Sequence, residues 1–121
     1  MSPEVVPVPD VAALDRLLAE SRAAPVLLVN HDPNCAFSWE ACGELGRLSP
    51  GAVREVAIVD VRRARDVTQA IERSLGIPHE SPQVIVVRDG RAAWSAAHTA
   101  IRAAAIERAL HEAAPPSSPA V

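Results

Sequence analysis

The sequence predicts one α/β domain, built as a mixed four-stranded sheet with helices on both faces. Short apolar runs, which are typical of buried strands, alternate with segments whose apolar residues recur at helical spacing. An Asp89-Gly90 pair between two further strand-like runs indicates an antiparallel hairpin. The chain has 121 residues, of which 49% are hydrophobic, and this suits one domain with an ordinary core.

The first half of the domain is predicted to run helix, strand, helix. Asp10 is a suitable N-cap for a helix that extends to about Ser21. The uninterrupted apolar run at 26–29 is typical of a central strand covered on both faces. After a turn at 31–34, apolar positions at helical spacing predict a second helix over 35–48, which therefore begins at Cys35.

The second half is predicted to contain a strand over 53–61, a helix over about 64–75 that stops at a glycine, the hairpin strands 83–87 and 91–95, and a last helix over about 99–112. A right-handed crossover joins the two early strands, so these strands are parallel. This order places the turn before Cys35 at the carboxyl edge of a strand. Open α/β sheets bind their ligands at that edge.

Composition excludes several classes of function. The net charge is −3, from 15 acidic and 12 basic residues without charge blocks, so the sequence shows no nucleic-acid-binding footprint. It contains no recognisable signal peptide, membrane-spanning run or metal-ligand spacing such as Cys-x-x-Cys. We therefore expect a cytoplasmic protein with no membrane contact, no metal site and no bound cofactor. The domain is expected to cover 10–113, between a flexible N-terminal segment at 1–9 and a disordered Pro/Ser tail at 114–121.

Cys35 is the candidate nucleophile, because a helix N-terminus carries unpaired N–H groups and the positive end of the dipole, which stabilise a thiolate. Asn34 is expected to cap this helix, Ser38 to donate a hydrogen bond to the sulfur, and His31 to add positive charge when protonated. Trp39 lies off the apolar face one turn away, where it either contacts substrate or packs partly buried. The alternative for Cys35 is that it merely fills a loop.

The cysteine spacing predicts a monothiol site. Where a dithiol oxidoreductase has its second cysteine, this chain has Ser38. Cys42 follows Cys35 by seven residues, which is about 10 Å along a helix, whereas a disulfide needs Cα atoms about 4.4–6.8 Å apart. Cys42 is interpreted as a small core residue, with a redox role as the alternative. A lone nucleophile cannot release itself from a mixed disulfide, so turnover requires an outside thiol.

One segment is similar to a known family. Residues 76–83 read Gly-Ile-Pro-His-Glu-Ser-Pro-Gln, and they are followed by Asp89-Gly90, Trp94 and His98. This pattern resembles the C-terminal half of the monothiol bacilliredoxins, the YtxJ-like thioredoxin-fold proteins of bacteria that use bacillithiol. The resemblance covers nearly all of the chain between its two ends. The chain departs from the family's usual Thr-Cys-Pro at the active site, where it has Asn-Cys-Ala at 34–36.

The resemblance implies a thioredoxin-like fold and a monothiol thiol-disulfide oxidoreductase with Cys35 as its active-site cysteine. Its substrates would be S-bacillithiolated proteins. Bacillithiol would be the thiol co-substrate, and either free bacillithiol or a dithiol redoxin would be the reductant. Pro82 would be a cis-proline that faces the reactive sulfur, and the backbone beside it, at Ser81, would pair with the substrate chain. Two other functions stay open, namely a non-catalytic thioredoxin-like binding module and a cysteine redox sensor.

Overall fold

The computed structural model describes residues 4–114, and these residues form a five-stranded sheet flanked by helices. In chain order the elements are β1 Glu4–Pro7, α1 Val11–Glu20, β2 Val26–His31, α2 Ala36–Leu45, β3 Glu55–Asp60, α3 Arg65–Leu75, β4 Gln83–Arg88, β5 Arg91–Ala97, a short 3₁₀ helix His98–Ala100 and α4 Ala103–Ala113. Within the described residues no helix is long and apolar enough to cross a membrane.

The sheet is mixed, as predicted, but the expected number of strands is wrong. Its order is β1-β3-β2-β4-β5, in which β1, β3 and β2 are parallel and β4 and β5 are antiparallel to their neighbours. The fifth strand is β1, at positions that the sequence assigned to a flexible segment. Val5 pairs with Val56 of β3, and Val8 is only 2% exposed. Pro7 is tolerated because β1 lies at the edge of the sheet.

The core lies on both faces of the sheet. One cluster packs α1 and α3 against one face, and the second packs α2 and α4 against the other. The apolar run in β2 alternates between them, since Leu28 contributes to the first cluster and Leu27 and Val29 to the second. Complete burial of such a side chain contributes about 1.5–3 kcal/mol, so β2 is held from both sides.

Local signals place most of the element ends. The Asp10 side chain accepts a hydrogen bond from Ala13 N at 2.8 Å and so caps α1. Gly76 ends α3 with a φ of 67°, and Asp89 and Gly90 form the hairpin turn with φ of 56° and 71°. The predicted last helix is wrong at its start, because the 3₁₀ helix intervenes before α4 begins at Ala103.

The predicted flexible N-terminal segment and the predicted Pro/Ser tail extend beyond the described residues, which exclude 1–3 and 115–121.

The carboxyl end of β2 lies in the centre of the sheet, beside the start of β4, where Asn30 pairs with Gln83. Two loops therefore meet at one edge of the sheet, namely the one that leads to Cys35 and the one that precedes β4.

Candidate active site

Cys35 lies at the N-terminus of α2, as its sequence position predicts. It is the N-cap residue, with an extended backbone (φ −113°, ψ 124°), and its carbonyl accepts from Ser38 N at 3.1 Å and Trp39 N at 3.4 Å. It is half-buried and not in a disulfide. The first turn of α2 contains no acidic residue, so no carboxylate of that turn offsets the positive end of the helix.

Asn34 does not cap α2, contrary to the prediction. The N-cap residue is Cys35, and no side chain caps the helix there. Asn34 is exposed, and its backbone N–H donates to Asp32 Oδ1 at 2.9 Å. Asp32 thus forms an Asx turn that shapes the loop before the cysteine. A role for Asn34 in stabilising the thiolate or positioning substrate stays a prediction.

Ser38 is fully buried and holds the loop in place. Its Oγ accepts from the backbone N–H of Asp32 at 3.1 Å. The predicted bond from Ser38 to the sulfur of Cys35 is not among the hydrogen bonds of residues 4–114. The hydroxyl that occupies the resolving position therefore anchors the chain at the start of the active-site loop.

Trp39 also binds the loop that precedes Cys35. Its Nε1 donates to Pro33 O at 2.9 Å, and its ring meets that of His31 edge-on, with centroids 4.8 Å apart. The side chain is nevertheless 58% exposed. The position of Trp39 therefore fits both predicted roles, because its ring packs against His31 while more than half of the side chain is exposed. Phe37, which the sequence analysis did not single out, is 53% exposed nearby.

His31 contacts Cys42 rather than Cys35 within the described residues. The two atoms, His31 Nδ1 and Cys42 Sγ, are 3.8 Å apart, and His31 is 9% exposed. Burial raises the pKa of the Cys42 thiol. Cys42 is only half-buried, so the prediction of a core residue holds in part. Its side chain borders an apolar cavity of about 260 Å³ between α2 and β3.

The loop before β4 carries the second half of the site. The Ser81–Pro82 peptide bond is cis, as the family resemblance implies. Pro82 is buried, and its carbonyl accepts from His98 N at 3.1 Å. Ser81 is half-buried, and its Oγ has no hydrogen-bond partner within the described residues. The catalytic roles of Ser81 and Pro82 stay predictions.

Two buried amides at this edge were missed in the sequence analysis. Asn30 is 1% and Gln83 3% exposed, and Asn30 Nδ2 donates to Gln83 Oε1 at 2.8 Å. The available signal in the sequence was Asn30, a polar residue directly after the apolar run at 26–29. Sequence alone does not pair two amides that lie 53 residues apart.

A cleft of about 270 Å³ lies between α2 and the 3₁₀ helix. Its polar lining comes from Glu40, Glu44, His98, Thr99 and Arg102, and the ring of Phe37 forms part of its wall. Glu44 is already engaged, because its Oε1 accepts from Ala103 N at 2.9 Å. No group of three or more metal-ligating side chains that could hold an ion occurs among residues 4–114.

Comparison with known proteins agrees with this geometry. The family model described as monothiol bacilliredoxin BrxC matches residues 7–106. A thioredoxin-fold protein described as a candidate oxidoreductase superimposes with a TM-score of 0.79 at 19% identity, covering 87% of this chain and 92% of that one. Thioredoxins from Fasciola hepatica (TM-score 0.70, 14% identity, 89% and 98% coverage) and Schistosoma mansoni (0.72, 14%, 91% and 98%) are also similar. The fold is therefore that of thioredoxin.

Proposed function

Because this chain belongs to the monothiol bacilliredoxin family, we propose that it is a thiol-disulfide oxidoreductase that removes bacillithiol from mixed disulfides on cytoplasmic proteins. The observation that carries the proposal is the placement of one half-buried thiol, Cys35, at the N-terminus of α2 with a hydroxyl, Ser38, at the resolving position. A reducing compartment suits this chemistry, since free thiols persist there.

In the first step, the Cys35 thiolate attacks the bacillithiol sulfur of a protein mixed disulfide. A new S–S bond forms between Cys35 and bacillithiol while the old one breaks, and its electron pair leaves on the protein sulfur, which takes up a proton. The client thiol is thereby reduced, and Cys35 is left bacillithiolated. The helix N-terminus stabilises the attacking thiolate before the reaction.

The second step needs an outside thiol. Ser38 cannot attack the new disulfide as a thiolate would, and Cys42 lies about two helical turns, roughly 10 Å, from Cys35. The thiolate of free bacillithiol attacks the bacillithiol sulfur on Cys35, forms bacillithiol disulfide and releases the Cys35 thiolate. A dithiol redoxin is the other candidate reductant: its first thiolate attacks the bacillithiol sulfur and releases Cys35, and its second thiolate then expels bacillithiol and forms an internal disulfide.

Client proteins would meet an apolar surface around the thiol. Phe37 and Trp39, both more than half exposed, flank Cys35 in the first turn of α2. The cis Ser81–Pro82 bond lies at the same edge of the sheet. In this proposal the backbone at Ser81 pairs with an extended segment of the client, which places the disulfide against the sulfur.

The test is transfer of the adduct. A protein bearing one bacillithiol mixed disulfide is incubated with the wild type, Cys35→Ser or Cys42→Ser, and intact masses are followed in time. We expect the wild type and Cys42→Ser to remove the adduct and to carry it transiently on Cys35, and Cys35→Ser to do neither. Removal of the adduct by Cys35→Ser at the wild-type rate would exclude this mechanism.

The exposed apolar pair Phe37 and Trp39 also suits a binding module without turnover. That alternative predicts that Cys35 is alkylated no faster than a cysteine in an unfolded peptide. A redox sensor predicts instead a Cys35-linked dimer on non-reducing electrophoresis after mild peroxide treatment. Rapid alkylation together with adduct transfer supports the enzyme and neither alternative.

A further inference from the structure

The side chain of Gln83 binds three groups at once. This residue begins β4 and is 3% exposed. Its Oε1 accepts from Asn30 Nδ2 at 2.8 Å and from the backbone N–H of Glu80 at 3.3 Å. Its Nε2 donates to the backbone carbonyl of Pro78 at 3.1 Å. One buried amide therefore joins β2 to the loop that precedes β4.

The chemistry of these partners allows only one arrangement of the amides. A backbone N–H can only donate and a carbonyl can only accept, so Gln83 must direct Oε1 to Glu80 and Nε2 to Pro78. Asn30 then has to present its NH₂ group to Oε1. Its own Oδ1 is left buried without a partner within the described residues.

Two of the three bonds of Gln83 go to the backbone of the loop, at Pro78 and at Glu80. This buried amide therefore sets the path of the loop. Its far end is held separately, since the Pro82 carbonyl accepts from His98 N at 3.1 Å. Ser81 lies between these two anchors.

We propose that Gln83, supported by Asn30, is a positioning residue that places the backbone at Ser81 for the incoming disulfide. This inference rests on the proposed function. Gln83 does not touch the reacting atoms, so its loss should impair recognition of a protein disulfide and leave the intrinsic reactivity of Cys35 intact. A misplacement of about 1 Å in a positioning element can cost about 10²-fold in rate.

The experiment compares Gln83→Met, which has similar volume and none of the three bonds, with Gln69→Met on the exposed face of α3. We expect Gln83→Met to raise the KM for an S-bacillithiolated protein by about ten- to a hundred-fold. Alkylation of Cys35 by iodoacetamide should stay within about twofold of the wild type. Gln69→Met should match the wild type in both assays.

Asn30→Ala is the second variant, because it removes the donor to Gln83 Oε1 and leaves the two bonds from Gln83 to the loop backbone. It should raise KM in the same direction but less, and it replaces Gln83→Met if that variant does not fold. An unchanged KM, or an equal loss of exchange and alkylation, overturns the proposal.

A measurement without substrate separates this inference from the proposed function. If the wild type does not act on the mixed disulfide, the proposed function fails, and amide hydrogen exchange then judges the positioning role. We expect Gln83→Met to speed exchange of the Glu80 amide at least about tenfold, with the β2 and β4 amides unchanged. An unchanged Glu80 exchange rate overturns the inference.

Discussion

Ser38→Cys should convert the monothiol site into one that releases its own adduct. Residues three apart on a helix have Cβ atoms about 5–6 Å apart, and a disulfide needs about 3.5–4.5 Å. Cys35 is the N-cap with an extended backbone, so a small rotation there closes the difference. The introduced thiol can then attack the bacillithiolated Cys35, expel bacillithiol and form an internal disulfide.

The substitution should also lower the stability of the fold, because it weakens a buried hydrogen bond. Ser38 Oγ accepts from Asp32 N at 3.1 Å in a fully buried position, and sulfur is a weaker acceptor. Leaving that N–H poorly satisfied should lower the free energy of unfolding by about 1–3 kcal/mol. Ser38→Ala is the matched control, since it removes the acceptor altogether without gaining a thiol.

The assay is a single turnover with one equivalent of S-bacillithiolated protein and no free thiol. The wild type should end as the Cys35 adduct, whereas Ser38→Cys should release bacillithiol and end with both thiols oxidised, as seen by intact mass. Urea denaturation measures the stability of all three proteins. A stable adduct on folded Ser38→Cys would refute the assumed closeness of positions 35 and 38.

Three further predictions concern neighbouring parts of the structure. Trp39→Phe keeps an aromatic ring and removes the indole N–H that donates to the Pro33 carbonyl, so it should lower the free energy of unfolding by about 0.5–1.5 kcal/mol in urea titrations. Arg88→Met should lower the free energy of unfolding by about 1.5–3 kcal/mol or more, because the Arg88 guanidinium donates to a carbonyl after α1 and to one at the end of α4. The control Arg91→Met, at an exposed position, should leave thermal denaturation nearly unchanged. Burial raises the pKa of Cys42, so a smaller fraction of this thiol is ionised at neutral pH. In Cys35→Ser, where Cys42 is the remaining cysteine, alkylation followed by mass should reach its half-maximal rate at a higher pH than in a cysteine peptide.

The predictions that succeeded rest on short-range patterns. A capping side chain such as Asp10 acts on the next turn of its own helix, and a left-handed pair such as Asp89-Gly90 closes its own hairpin. The position of Cys35 at a helix start follows from the turn that precedes it. These features depend on a few neighbouring residues, so they are legible without coordinates.

One error comes from an interaction between distant parts of the chain, and another from local competition within the loop before α2. β1 was missed because four residues in a Pro-rich stretch become a strand only when β3 offers its edge. Asn34 was expected to cap α2, but the chain enters the helix through Cys35 while Asp32 engages Asn34 instead.

Residue order along the chain thus sufficed for the thioredoxin-like fold class, for the position of Cys35 at a helix start and for the family. Packing was needed to bring Gln83 against Asn30, to turn His31 toward Cys42 and to fasten Trp39 over the loop before the cysteine. The physical reason is the distance along the chain over which each interaction acts. Backbone preferences act over one turn, whereas a hydrogen bond between buried side chains exists only after both faces of the sheet have been covered.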